Sequence, residues 1–372
     1  MAYTNIDDPS AYFQTALWTG DGTAGNAVTF DGNSDMQPDF VWSKRRDSAT
    51  SNVLKDTSRG GTSDNDLHLV SDLTQAESTY AQYRMDFDSD GFTLDGVGDS
   101  GFQGIGTSMV SWSWKANGGT TSSKSSTTID TNVTTPCVQQ VNTDAGFSIL
   151  TYTASTSYAG TETHLEHGLG VGPKVLIVKR RDTAADWAVY HAENGASPNA
   201  GYGYLVLNTN AATATSSTYW LNTPAESNAT LLAFGNNASV GADGGEYVCY
   251  AFAEKQGYSK FGKYVGNGSN TNGTFIYTGF KPAMIIAKRT DANAHNWFIW
   301  DTKRAPSNRV EAVLKPNSSA VESSLFQIDI LSNGFKHYNN YGSTNESGAS
   351  YIYMAFAENP FVTSTGIPTT AR

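Results

Sequence analysis

"QPDFVWSKRRD" (37–47), "GPKVLIVKRRD" (172–182) and "KPAMIIAKRTD" (281–291) are three versions of one string. Each sets Lys six residues and Asp nine residues after Pro, as Pro38/Lys44/Asp47, Pro173/Lys179/Asp182 and Pro282/Lys288/Asp291. A charge run closing an apolar stretch could serve as a phosphate clamp used in triplicate, or mark one structural corner copied three times. Alternation from Val175 and Ile177 puts Lys179 and Arg181 on the opposite face from their neighbours, whereas a clamp needs its charges to converge. The register-mark reading therefore leads. It expects the charges at a sandwich edge, discouraging strand addition, and paired internally with acidic residues such as those of "DTSR" (56–59) and "DTKR" (301–304).

Other landmarks keep step with this ruler, which is how a repeat shows itself. Aromatic starts precede it in "YFQTALWTGDG" (12–22), "FSILTYTAS" (147–155) and "YSKFGKYVGNG" (258–268). Alternating strands close each copy in "MVSWSWKA" (109–116), "YVCYAFAE" (247–254) and "YIYMAFAE" (351–358). "SDGFTL" (89–94) and "SNGFKH" (332–337) match between the first and third copies, and the second copy has diverged there. Period-2 patterns rich in Val, Ile, Tyr, Phe, Trp and Thr predict half-buried strands, with turns at "GDG", "SDG", "GNG" and "SNG". "SDLTQAESTYAQ" (71–82) is the nearest approach to a helix. The expected fold is all-β: three tandem antiparallel β-sandwich modules, jelly-roll or lectin-like, with little helix.

The expected boundaries are 1–116 for module one with its N-terminal extension, 117–146 for a Ser/Thr-rich linker, 147–256 for module two, and 257–372 for module three with its C-terminal tail. The linker lacks apolar alternation and is expected to bury little. Because "KQG" (255–257) joins modules two and three almost directly, a stiff pair with a more loosely tethered module one is expected.

Composition narrows the function. Apolar residues make 38% and charged residues 16% of the 372, so Ser, Thr, Asn and Gly must cover much of the surface, a profile suited to extracellular or virion β-proteins. The net charge of −11 repels a phosphate backbone, which argues against nucleic acid as a partner. Cys137 and Cys249 form neither a metal-spaced pair nor a disulfide framework. The N-terminal stretch lacks a secretory pattern, and no run is long and apolar enough for a membrane helix, so membrane insertion is not expected.

Three features could carry chemistry. Asp86, Asp88 and Asp90, followed by Gly91, begin a calcium-loop pattern, but Val97 stands where the twelfth-position Glu belongs, so an acidic strand entering an Asp-Gly turn is the better reading. His164 and His167 precede Gly168, Gly170 and Gly172, yet a strand follows where a phosphate loop needs a helix, and a third metal ligand is missing from view. Trp112, Trp114, Tyr250, Phe252, Tyr353 and Phe356 lie on the closing strands, where they build core or, for some, a glycan or subunit surface. There is no G-x-S-x-G elbow and no H-E-x-x-H. No catalytic residue, cofactor or metal is predicted, and no enzyme activity.

"IDDPSAYFQTALWTGDG" (6–22), the joint "YVCYAFAEKQGYSKFGKYVGNGSNTNGTFIYTGFKPAMIIAKRTD" (247–291) and the ending "YIYMAFAENPFVTSTGIPTTAR" (351–372) resemble a family of uncharacterised virion proteins of marine tailed phages, built from repeated aromatic-rich domains of unknown function. The resemblance spans essentially the whole chain. It implies a non-enzymatic structural protein on the particle exterior, as a capsid decoration or tail-appendage component, synthesised in the host cytoplasm and located in the virion. Other virion proteins are its expected partners, with a homo-oligomer, guessed as a trimer. The alternative is a receptor-binding adhesin that recognises host surface glycans through the sandwich loops, with a glycan depolymerase further behind.

Overall fold

The three anchor strings fold as strands Phe40–Arg45, Val175–Arg180 and Phe280–Arg289 in a computed structural model. It describes residues 3–98, 101–129, 132–155, 162–197, 201–221 and 229–369. Each anchor strand lies between a closing strand (Ser108–Trp114, Glu246–Phe252, Ser350–Pro360) and a return strand (Val53–Asp56, Ala188–His191, Phe298–Asp301). On the other side of each closing strand runs an opening strand: Phe13–Thr19, Phe147–Thr153 or Ser259–Val265. All these pairings are antiparallel, and the register repeats: Lys44 pairs with Val110, Lys179 with Val248 and Lys288 with Ile352. The all-β antiparallel class is as expected. Among the described residues the helices are single turns, and 71–82 holds the short strand Ser78–Thr79 and the start of a one-turn helix.

The closing strands are buried on both faces rather than half-buried. In each unit a smaller sheet packs over the outer face of the large one, so that Tyr247, Cys249 and Ala251 meet Leu165, Leu232 and Phe234. In the third unit Tyr351, Tyr353 and Ala355 meet Ile276, Ile330 and Phe335 in the same way. The alternate residues of the closing strands, Val110/Trp112/Trp114, Val248/Tyr250/Phe252 and Ile352/Met354/Phe356, all enter one further core shared by the three units. At its centre the equivalent residues Trp114, Phe252 and Phe356 meet in a triangle, with ring centroids 6.1, 5.4 and 5.8 Å apart. Unit one is thus part of the ring and not loosely tethered. All six closing-strand aromatics singled out in the sequence are buried.

Residues 117–146 also depart from the linker expectation. Asp39 accepts hydrogen bonds from the backbone N–H groups of Ala116, Gly118 and Gly119. Cys137–Asn142 then adds a strand to the second unit's large sheet, beside Phe147–Thr153. Its Gln140 is wholly buried, donating to Thr57 Oγ1 at 2.7 Å and Ser58 Oγ at 2.8 Å in unit one. A neutral amide can enter the interior at less cost when its donors find acceptors there, as Gln140 Nε2 does in unit one.

Candidate functional site: the charged seams between units

The charge runs meet at the seams of this ring. Lys44, Lys179 and Lys288 are wholly buried on strands paired at both sides, so the expected sandwich-edge placement is corrected. Their ammonium groups donate to carbonyls. Lys44 Nζ reaches Arg45 O at 2.8 Å and Ser319 O at 3.3 Å, and Lys179 Nζ reaches Arg180 O, Ala185 O and, across a seam, Thr74 O at 3.2 Å. Lys288 Nζ reaches Arg289 O. Burial pushes all three down to about 8.

The next residue of each run pairs with the run's own Asp: Arg45 with Asp47, Arg180 with Asp182 at 2.8 Å, Arg289 with Asp291 at 2.6 Å. Those carboxylates also accept from the backbone at the start of the closing strands, at Ser108, Glu246 and Ser350. The run therefore fixes the register between anchor and closing strand.

The third residue crosses to the neighbouring unit. Arg181 Nη2 lies 2.8 Å from Glu77 Oε1, and Glu77 also receives Arg59. Arg46 makes a two-pronged pair with Glu322, at 2.9 and 3.0 Å, and Glu322 receives Arg304 Nη1 at 2.9 Å. Local sequence sets the far end of each chain. In "DTSR" and "DTKR" the Asp accepts the backbone N–H three residues on, at 2.9 Å for Asp56 and 2.7 Å for Asp301, and that same residue's guanidinium folds back onto the carboxylate. The closing strand of the next unit completes it: Tyr250 Oη donates to Asp56 Oδ2 at 2.7 Å, and Trp112 Nε1 to Asp301 Oδ2 at 2.9 Å. Burial raises the Glu77 carboxyl, but the Arg59 and Arg181 guanidiniums outweigh this and hold it below its ordinary value; Arg46 and Arg304 do the same for Glu322.

The third seam, between units two and three, has lost this buried chain of charges and keeps only the more exposed pairs Glu193–Lys263 and Glu254–Lys260. His191 replaces the Asp, Asn194 the Arg of the turn, Thr213 the Glu, Thr290 the crossing Arg and Met354 the Tyr or Trp. The backbone link survives: Thr213 N donates to Thr290 O at 2.9 Å, as Glu77 N does to Arg181 O and Glu322 N to Arg46 O. His191 Nδ1 accepts from Glu193 N at 3.2 Å, leaving Nε2–H to donate to Tyr353 O across the seam at 3.1 Å. Sequence reading anticipated pairing of the runs with the acidic residues' motifs, but missed Glu77 and Glu322, which lie in segments that had no counterpart in the motif. The signal was available in their equal distance beyond each "DT(S/K)R" turn.

The other candidates are dispersed. Asp86, Asp88 and Asp90 lie on a hairpin with separate tasks, Asp88 accepting from Thr93 Oγ1 at 2.7 Å and Asp90 from Met36 N at 3.2 Å. Gly91 makes that hairpin possible, at φ +97° and with the Val28 carbonyl where a Cβ would sit. His164 faces Glu162 at 3.2 Å, and Gly168 and Gly170 turn at positive φ before the strand from Val175. Among the described residues no group of three His, Cys, Asp or Glu side chains could hold a metal, and no helix is long and apolar enough to cross a membrane. Burial pushes the Cys137 thiol up to about 12 and Cys249 higher still, so neither is a thiolate at neutral pH.

Residues 8–360 match a domain of unknown function, DUF7483, and the chain belongs to that family. Neither the curated proteins nor the solved structures provide a match.

Proposed function

We propose that this member of the family is a non-enzymatic structural protein of a tailed-phage virion, carried on the particle exterior as a capsid decoration or tail-appendage component. The observation that carries the reading is the use of the thrice-written charge run. Its Lys, Arg and Asp side chains bond within the fold and across the seams, so the repeated chemistry is mechanical. A ring of three units around one core suits a rigid exterior part, and the resemblance of the long strings to phage virion proteins supports the same placement. Other virion proteins and further copies of the chain, three being the expected number, are its partners on this reading. Mass spectrometry of purified particles, followed by reconstruction of the virion, tests it. Recovery at a defined copy number and position is expected, and absence from the particle overturns it.

A second reading, a receptor-binding adhesin that grips a host surface glycan, is favoured by one neutral, aromatic cleft at the outer end of unit three.

A further inference from the structure

A cleft of 360 Å³ opens in unit three between the loops around Asn270, Ser324–Gln327 and Tyr338–Tyr341. Its volume falls within the range of small-molecule sites. In a chain of net charge −11, every side chain lining it is neutral: three asparagines, a glutamine, a serine, Leu325 and three aromatics. Tyr341 and Leu325 are about half exposed, and the Phe326 ring meets Tyr341 edge-on at 5.2 Å. Among the described residues no side-chain hydrogen bond engages Asn270, Ser324 or Asn340.

Two buried asparagines hold these walls in place. Asn345 Nδ2 donates to Asn267 Oδ1 at 3.1 Å, Ser269 O at 3.2 Å and Asn339 O at 2.7 Å, tying the first loop to the third. Asn339 Nδ2 donates to Gln327 O at 3.2 Å while its Oδ1 accepts from Tyr341 N at 3.2 Å, tying the second to the third. Phe326 is fixed at φ +59°, a left-handed backbone rare for an aromatic residue, with its carbonyl accepting from Trp300 Nε1 at 2.8 Å. Such outliers persist where the surroundings over-determine them, and they gather at ligand sites. Walls prearranged in this way lower the ordering cost of binding.

An aromatic face beside unengaged amides matches a pyranose ring, whose C–H face stacks on the aromatic while its hydroxyls bond the amides. Charges meet the cleft only in balanced form at its margin: Gln327 Oε1 accepts from Arg309 Nη1 at 3.1 Å while Gln327 Nε2 donates to Glu311 at 2.7 Å, and Arg309 and Lys336 stand over the Tyr338 ring, at 4.4 and 5.6 Å. We propose that this cleft binds a neutral carbohydrate, which deepens the adhesin reading by naming its site and ligand class.

The test is a glycan array of neutral and acidic oligosaccharides probed with the full chain, its Tyr341→Ala and Asn340→Ala variants, and Tyr80→Ala as an exposed-aromatic control on unit one. A neutral-glycan signal is expected that falls at least tenfold in the first two variants, persists in the control, and competes with the same free oligosaccharide, with thermal midpoints unchanged. A signal indifferent to Tyr341→Ala overturns the cleft while the adhesin reading stands. Binding confined to acidic glycans overturns the ligand class, and a blank array overturns both cleft and adhesin.

Discussion

Arg181 of the second unit and Glu77 of the first form an ion pair across their seam, at 2.8 Å, and Arg59 joins Glu77 from within unit one. Arg59 and Glu77 are both largely withdrawn from water, with side-chain exposures of 1% and 9%. Removing one member of a buried pair leaves the other uncompensated and typically costs about 3–5 kcal/mol. Glu77→Gln should therefore lower stability by about 3 kcal/mol in urea titration, with little rescue by salt because the pair is shielded from counterions. Glu322→Gln, at the Arg46–Arg304 junction, should behave alike. A loss below about 1 kcal/mol, typical of exposed pairs, would show that these seams do not bear load.

The seam that carries His191 in place of the buried Asp should respond to acid at a different pH. Burial pushes His191 down to about 4, with the Tyr353 carbonyl and Glu193 opposing that shift and Lys174 adding to it. Glu193 is itself paired with Lys263 at 2.8 Å. A histidine whose folded pKa is depressed contributes stability that is present above its unfolded value and is lost as pH falls toward the folded one. From the ordinary 6.5 to about 4 the loss is on the order of 3 kcal/mol. His68, also near 4, and His337, near 3, act with the same sign. The carboxylates Glu77 and Glu322 are held below their ordinary 4.5, so their loss begins only below that pH. The thermal midpoint should fall between pH 6.5 and 4.5, and His191→Gln should flatten part of that slope. An unchanged slope in the variant would sink the assignment.

The buried lysines should differ from one another in replacement. Lys179 Nζ satisfies three carbonyls, including Thr74 O across a seam, while Lys288 Nζ bonds Arg289 O. Burying an ammonium is costly, and apolar replacement of a poorly compensated one can be neutral or stabilising. Lys288→Met should thus change the urea midpoint little or raise it, whereas Lys179→Met, which strands carbonyls, should cost about 2 kcal/mol. Both native lysines sit near 8, below their ordinary 10.5. The unfolded chain therefore binds more protons between those values, and wild-type stability should rise with pH across that window. Equal losses in the two variants would contradict the difference in their bonding.

The ruler that counted the units was legible because Lys, Arg and Asp stand at fixed spacing, and the register Lys44–Val110, Lys179–Val248, Lys288–Ile352 gives that spacing its physical meaning. The double burial of the closing strands was harder to read. Ser111 and Ser113 alternate with Val110, Trp112 and Trp114 as if facing water, yet they too are fully buried. Small hydroxyl residues fit an interior sheet face, so alternation of polar and apolar types does not by itself reveal solvent. The strand Cys137–Asn142 escaped notice for a related reason, since its partners for Gln140 lie in another unit. Glu77 and Glu322 pair with the nearby Arg59 and Arg304, but they bridge a seam through Arg181 and Arg46, more than a hundred residues away.

Trp114, Phe252 and Phe356 come from three units and meet at one point, so unfolding any unit exposes the other two. Phe40 of unit one also stacks on Tyr250 of unit two at 4.2 Å, and Phe13 on Phe356 of unit three at 5.3 Å. Independent modules on a flexible tether would melt separately, whereas a shared core couples them. Far-ultraviolet and near-ultraviolet circular dichroism should report one coincident urea transition. Truncation of a fully buried aromatic typically costs about 3–5 kcal/mol, and Trp114→Ala should shift that whole transition without splitting it. Hydrogen exchange should then accelerate in the closing strands of units two and three as well as in unit one. Acceleration confined to residues 13–114 would instead mean that unit one folds as a separate body.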